Sequence, residues 1–181
     1  SGVASEAEFL GPVRIVDFPR TPLPVQIQTP VDARVGEMTL LGFGADAPPA
    51  RGRTIELRTL WRVDGTPARD GVLFVHVLSP EGKLVAQDDH SPEQGMRSTQ
   101  TYRAGDGIEQ KQRLTLSPDL PAGEYRVLAG IYDRSGGARW PATRDGKPAV
   151  DDLVPLMTFT LPAPPEVFRA FLPVVSAAET P

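Results

Sequence analysis

The sequence predicts an all-β chain, an antiparallel β-sandwich with extended arms at both ends. Three observations carry this. Apolar residues recur at period two in short runs, most cleanly over Arg53–Val63, where Ile55, Leu57, Thr59, Trp61 and Val63 share one face. Twenty prolines and 17 glycines stand between the runs as turn punctuation. No stretch shows the 3.6-residue apolar period of an amphipathic helix.

The elements follow in order. Ser1–Glu8 is small and polar and reads as a flexible lead. Ser1-Gly2 without a methionine reads as a processed chain or a cloning scar, and both stay open. Phe9–Gln28 carries Phe9, Val13, Ile15 and Phe18 among Pro12, Pro19, Pro22 and Pro24, which suits an edge strand or extended arm, because proline cannot donate to a ladder. Within it Val25–Gln28 alternates. Glu37–Ala45 is a strand candidate, and Gly42-Phe43-Gly44 inside it suits a bent strand rather than a phosphate loop. Asp46–Gly52 is a loop. Arg53–Val63 is the alternating strand. Gly71–Asp89 is the central hairpin: Val72–Leu78 is apolar except at His76, Ser79-Pro80-Glu81-Gly82 supplies the turn, and Lys83–Gln87 returns. Asp88–Arg97 reads as a polar loop, Ser98–Arg103 as a short strand, and Ile108–Leu116 and Tyr125–Asp133 as strands. Ser135–Asp152 reads as a long loop holding Trp140, and Leu153–Leu161 as the last core strand. Pro162–Pro165 is a stiff linker. It leads to the apolar Val167–Val175 and a polar tail. The domain reading is therefore 1–30 arm, 31–161 sandwich, and 162–181 linker, C-terminal strand and tail.

Composition excludes several classes. A net charge of −4 without a basic cluster gives no reason to expect a nucleic-acid partner. The absence of cysteine excludes disulfides and thiolate metal sites. No segment approaches the roughly 20 apolar residues of a membrane-spanning helix. Arginine far outnumbers lysine among the 19 basic residues, and asparagine is absent, so there is no N-glycosylation acceptor.

Each candidate functional residue has a structural alternative. His76 lies on an apolar strand and reads as a hydrogen-bonded structural histidine. No nucleophile elbow or acid–base triad signature is present, so no catalytic residue is assigned. Asp88-Asp89-His90, Asp133 and Asp151-Asp152 match no calcium-loop spacing, so neither metal nor cofactor is expected. Trp140, in a Gly/Pro loop, is either an exposed stacking platform or an anchor packed onto the sandwich. Trp61 belongs to the core. The spacing Leu120-x-x-Gly123-x-Tyr125 looks like the tyrosine corner of immunoglobulin-like sandwiches, whose hydroxyl bonds the upstream backbone. The fold class is accordingly immunoglobulin-like or jelly-roll-like.

The stretches ELRTLWRV, VLFVHVLSPEGKLVAQDD, STQTYRAGD, LSPDLPAGEYRVLAGIYD and the following ARW span Arg53 to Trp140. Across them the chain resembles bacterial extracytoplasmic β-sandwich modules appended to multi-span membrane glycosyltransferases of the mannosyltransferase type and found in secreted surface proteins. It departs from that family at Asp88-Asp89-His90, where Asp-Gly is usual, and at Tyr102, where Trp is usual. The terminal FLPVV is similar to a short C-terminal motif of secreted surface proteins. The resemblance implies an extracellular or cell-surface, non-catalytic structural or assembly module. Its partners would be copies of itself or another cell-surface protein. The apolar arms, through Phe9, Val13, Ile15, Phe18, Val167, Phe168, Phe171, Leu172, Val174 and Val175, either close the domain within one chain or join chains by β-strand addition. The alternative is a glycan-binding module using Trp140, Tyr102, Asp88, Asp89 and His90. A hydrolase finds no motif to rest on. One expectation concerns β-strand faces: because Val72–Leu78 is apolar on both, its outer face or the nearby edge needs a cover, which an arm would supply.

Overall fold

In the computed structural model, the described residues are 28–163. The arm and tail residues named above, Phe9, Val13, Ile15, Phe18, Val167, Phe168, Phe171, Leu172, Val174 and Val175, lie outside them. Ten strands form two antiparallel sheets, so the chain is an all-β sandwich. The strands are β1 (Thr29–Val35), β2 (Met38–Ala45), β3 (Thr54–Val63), β4 (Gly71–Leu78), β5 (Leu84–His90), β6 (Gly107–Thr115), β7 (Gly123–Asp133), β8 (Ala142–Arg144), β9 (Lys147–Pro148) and β10 (Val154–Leu161). The larger sheet has the order β6-β3-β2-β1-β8-β9, and the smaller β10-β7-β4-β5.

The alternation of β3 does what the pleat requires: Ile55, Leu57, Thr59, Trp61 and Val63 are all buried. Leu73, Val75 and Val77 of β4, with Val127, Ala129 and Ile131 of β7, meet them from the smaller sheet. Three polar side chains inside the core form a hydrogen-bonded chain. The Trp61 indole donates to Thr59 Oγ1 at 2.9 Å, and that hydroxyl donates to Gln112 Oε1 at 3.3 Å. Tyr125 is buried, and its hydroxyl donates to Pro121 O at 2.8 Å, which is the expected corner. Gly42 falls at a register shift between β2 and β3, the bend anticipated from Gly42-Phe43-Gly44.

Several boundaries differ from the sequence reading. β1 was not anticipated: Val31, Ala33 and Val35 do alternate inward, but Pro30 and a bulge containing Asp32 at φ 52° break the pattern. Ser98–Arg103 is no strand. Thr99–Thr101 forms a 3₁₀ turn, with the Ser98 side chain accepting from Gln100 N and the buried Thr99 hydroxyl donating to Arg69 O. The 135–152 loop holds the β8–β9 hairpin, turned by Asp145 (φ 51°) and Gly146 (φ 72°) and paired to β1 over Ala33–Val35.

The first and last described residues sit at one end of the sandwich. Gln28 Oε1 accepts from Ala45 N, Arg51 of the neighbouring loop donates to Leu120 O, and Leu161 pairs with Gly123 just beyond.

Candidate functional site

Strand alternation divides the Asp88-Asp89-His90 run between two tasks. The run is the end of β5, not a loop. Asp88 pairs with Val75 and His90 with Leu73, so both face the sandwich interior, whereas Asp89 pairs with Phe74 and faces out.

Asp88 and His90 stitch the edge of the smaller sheet to β6, the edge of the larger. Asp88 Oδ2 accepts from Arg113 N at 2.6 Å. His90 Nε2 lies 3.1 Å from Lys111 O, and the buried Gln110 amide reaches both His90 Nδ1 and His90 O. His90 Nδ1 also lies 3.1 Å from Ser91 O, so a carbonyl stands beside each ring nitrogen. Both side chains are engaged in tying the two sheets together.

Asp89 belongs to an outer-face cluster with Phe74, His76 and Tyr132. His76 Nε2 lies 3.1 Å from Asp89 Oδ1 and 3.2 Å from Oδ2. Burial pushes the Tyr132 phenol above its ordinary value, and the Asp89 charge and its hydrogen bond add to that. Phe74 is fully buried although it points to the outer face. Its ring stacks on Tyr132 at 5.8 Å, lies 4.4 Å from the His76 ring, and occupies the space that a side chain at Gly130 would need. Arg139, from the crossover between β7 and β10, holds its guanidinium 5.9 Å from that ring and donates to Asp151 O. Among the described residues, this crossover supplies the cover that the two-sided apolar strand demands.

The two proposed stacking residues are not exposed. Trp140 has 0% of its surface accessible, and Tyr102 has 2%. Trp140 packs where glycine leaves room: a Cβ on Gly36 would come within 2.7 Å of the indole, and one on Gly71 within 2.9 Å. The backbone N of Trp140 donates to Ile131 O at 2.8 Å. Trp140 is thus the loop anchor, and the exposed-platform reading of it fails. Tyr102 lies under the buried Arg97, whose guanidinium carbon sits 3.7 Å from the ring centroid. Burial raises the Tyr102 phenol to about 12, with the Arg97 charge opposing.

Above Trp140, at the end opposite the chain exits, lies a shallow groove of ≈ 350 Å³, lined by Arg69, Asp70, Gln100, Asp133, Arg134 and Ser135. Two crossed ion pairs span it, Arg69–Asp133 and Arg134–Asp70, each at 3.4 Å. Hydrogen bonds from the Ser135 hydroxyl and backbone hold the Asp133 carboxyl below its usual range. Asp70 is occupied by Thr99 N as well. Sequence reading missed this groove, because it is assembled from three loops. Among the described residues no group of three or more His, Cys, Asp or Glu is placed to hold a metal ion.

The sheet edges differ in how they are guarded. β6 is closed by β5. β5 presents acidic residues, and β9 is two residues long with Lys147 and Pro148. The first half of β1 carries Pro30 and a bulge, and the first half of β10 carries Pro155 and a register shift at Pro155/Met157. Met157–Leu161 pairs with β7 in unbroken register and has neither charge nor proline.

No protein-family model matches the chain, and no curated protein matches it. Among solved structures, the C-terminal domain of Wzt is similar at 14% identity, over 78% of this chain and 81% of that one, with a TM-score of 0.45. The ApaA protein from Bordetella pertussis is similar at 15% identity, over 77% of this chain and 99% of that one, with a TM-score of 0.28.

Proposed function

We propose that the chain is a non-catalytic structural module of the extracellular or cell-surface space, which joins another chain by accepting a β-strand along Met157–Leu161. The observation that carries this reading is the unguarded edge. Among the described residues, every other exposed edge is short, charged, bulged or proline-capped, and an open one is a template for pairing. The His76–Asp89 pair supports the non-catalytic part. The His76 ring is packed on Phe74 and held by Asp89, an arrangement that suits a hydrogen-bonded structural histidine.

The test places proline in turn at Thr158 and Phe159. Backbone N–H groups alternate sides, so one of the two substitutions removes only the outward donor. That variant remains folded by far-ultraviolet circular dichroism and loses self-association in sedimentation velocity. Continued association of both variants would overturn the reading.

A second reading, glycan binding, rests on the end groove, whose guanidinium, carboxylate, amide and hydroxyl groups suit sugar hydroxyls. Glycan-array binding lost on Arg134→Ala would favour it. Trp140→Ala cannot serve as that test, because the ring is structural.

A further inference from the structure

We infer that the strand accepted by β10 is Val167–Val175 of a second copy of this chain, so that copies join head to tail; this rests on the strand-addition reading above. The segment is built for one-sided pairing. In an extended strand, Phe168, Ala170, Leu172 and Val174 share a face and also point their N–H and C=O groups to one side. All four are apolar. Pro173 belongs to the other set, with Arg169 and Phe171, so its missing donor falls on the edge away from the acceptor. The segment can therefore add to a sheet as its last strand and stop there. The acceptor offers matching chemistry: Met157 and Phe159 are half-buried beside the core, and Leu161 is buried.

The linker decides between the same copy and another. Returning to its own β10 requires a reversal within Pro162-Ala163-Pro164-Pro165-Glu166. Leu161, Ala163 and Pro164 each precede a proline and are driven away from the helical region that hairpin loops use. The run favours extended polyproline II, about 3.1 Å per residue, which opposes a tight return to its own sheet edge. A donor and an acceptor on different surfaces of one chain make a heterologous contact, which propagates as a filament where it does not close into a ring.

The experiment compares the full chain, a chain ending at Pro165, and both proline variants. A synthetic peptide covering 166–181 is titrated into the shortened chain. The expected result is that the full chain associates, the shortened chain is monomeric, and the peptide binds it one to one. Binding is lost when the peptide carries Leu172→Asp and kept when it carries Arg169→Glu. It is also lost on the outward proline variant. A shortened chain that still associates, while the outward proline abolishes association, would leave the edge reading intact and remove this donor. A full chain that is monomeric, and whose melting temperature falls on shortening, would place the donor in its own copy. Association unchanged by both perturbations would remove the edge reading itself.

Discussion

Trp140→Ala is predicted to destabilise the sandwich by about 3–5 kcal/mol, the range for truncating a large buried aromatic. The ring is wholly buried and fills a space whose walls are main chain: Gly36 in the β1–β2 turn on one side and Gly71 at the start of β4 on the other. Gly36 N donates to Pro141 O at 2.9 Å and Gly71 N donates to the Thr99 hydroxyl oxygen at 2.7 Å, so neither wall is free to collapse into the cavity. Against an ordinary domain stability of about 5–15 kcal/mol, the loss is about a fifth or more of the total. The indole N–H has no hydrogen-bond partner among the described residues. Trp140→Phe therefore removes an unsatisfied donor along with one ring, and its cost is smaller, about 1–2 kcal/mol. Urea unfolding followed by far-ultraviolet circular dichroism gives both values, with m compared across variants. A Trp140→Ala loss below about 1 kcal/mol at unchanged m would refute the anchor argument.

Three further outcomes follow from the packing and the hydrogen bonds. Gly130→Ala brings a Cβ to 2.5 Å from Phe74 Cζ, and overpacking of this kind costs about 1–3 kcal/mol; recovery of stability in the Gly130→Ala/Phe74→Leu double variant checks that the clash is the cause. Tyr125→Phe loses the bond to Pro121 O and is expected to cost about 1 kcal/mol in the same urea assay, with no loss if the corner is unimportant. All three tyrosines have phenols raised above 10.0, chiefly by burial, Tyr102 to about 12. The native state thus holds protons that the unfolded chain releases, so this stability is complete below pH 10 and is lost as pH rises toward about 12. Tyrosinate absorbance should appear together with unfolding, and three phenols titrating near 10 in a folded chain would contradict it.

What the sequence made legible was whatever depends on local period. Trp61 and its neighbours in β3 declared their face by alternation, and the Tyr125 corner by a short spacing. β1 was obscured because Pro30 and the bulge at Asp32 interrupt the period while Val31, Ala33 and Val35 still point inward. The β8–β9 hairpin could have been found, since Asp145-Gly146 is a strong two-residue turn signal; its strands are simply too short to show a period. The different roles of Asp88, Asp89 and His90 follow from alternation once the run is recognised as strand. The burial of Trp140 had no local signal, because the room for it is made by Gly36 and Gly71, both far away in sequence. The end groove likewise joins residues from three loops.

Because Gln28 and Ala163 leave the sandwich at the same end, the two ends of the described chain are poorly placed to carry load. Tension between them pulls across the strands and peels β10 from β7 at Leu161 and Gly123, one hydrogen-bonded pair after another. Tension arriving along a strand laid beside Met157–Leu161 runs parallel to the sheet instead and loads its bonds together, in shear. The same fold is weak as a link pulled by its own ends and strong as a link pulled through a neighbour.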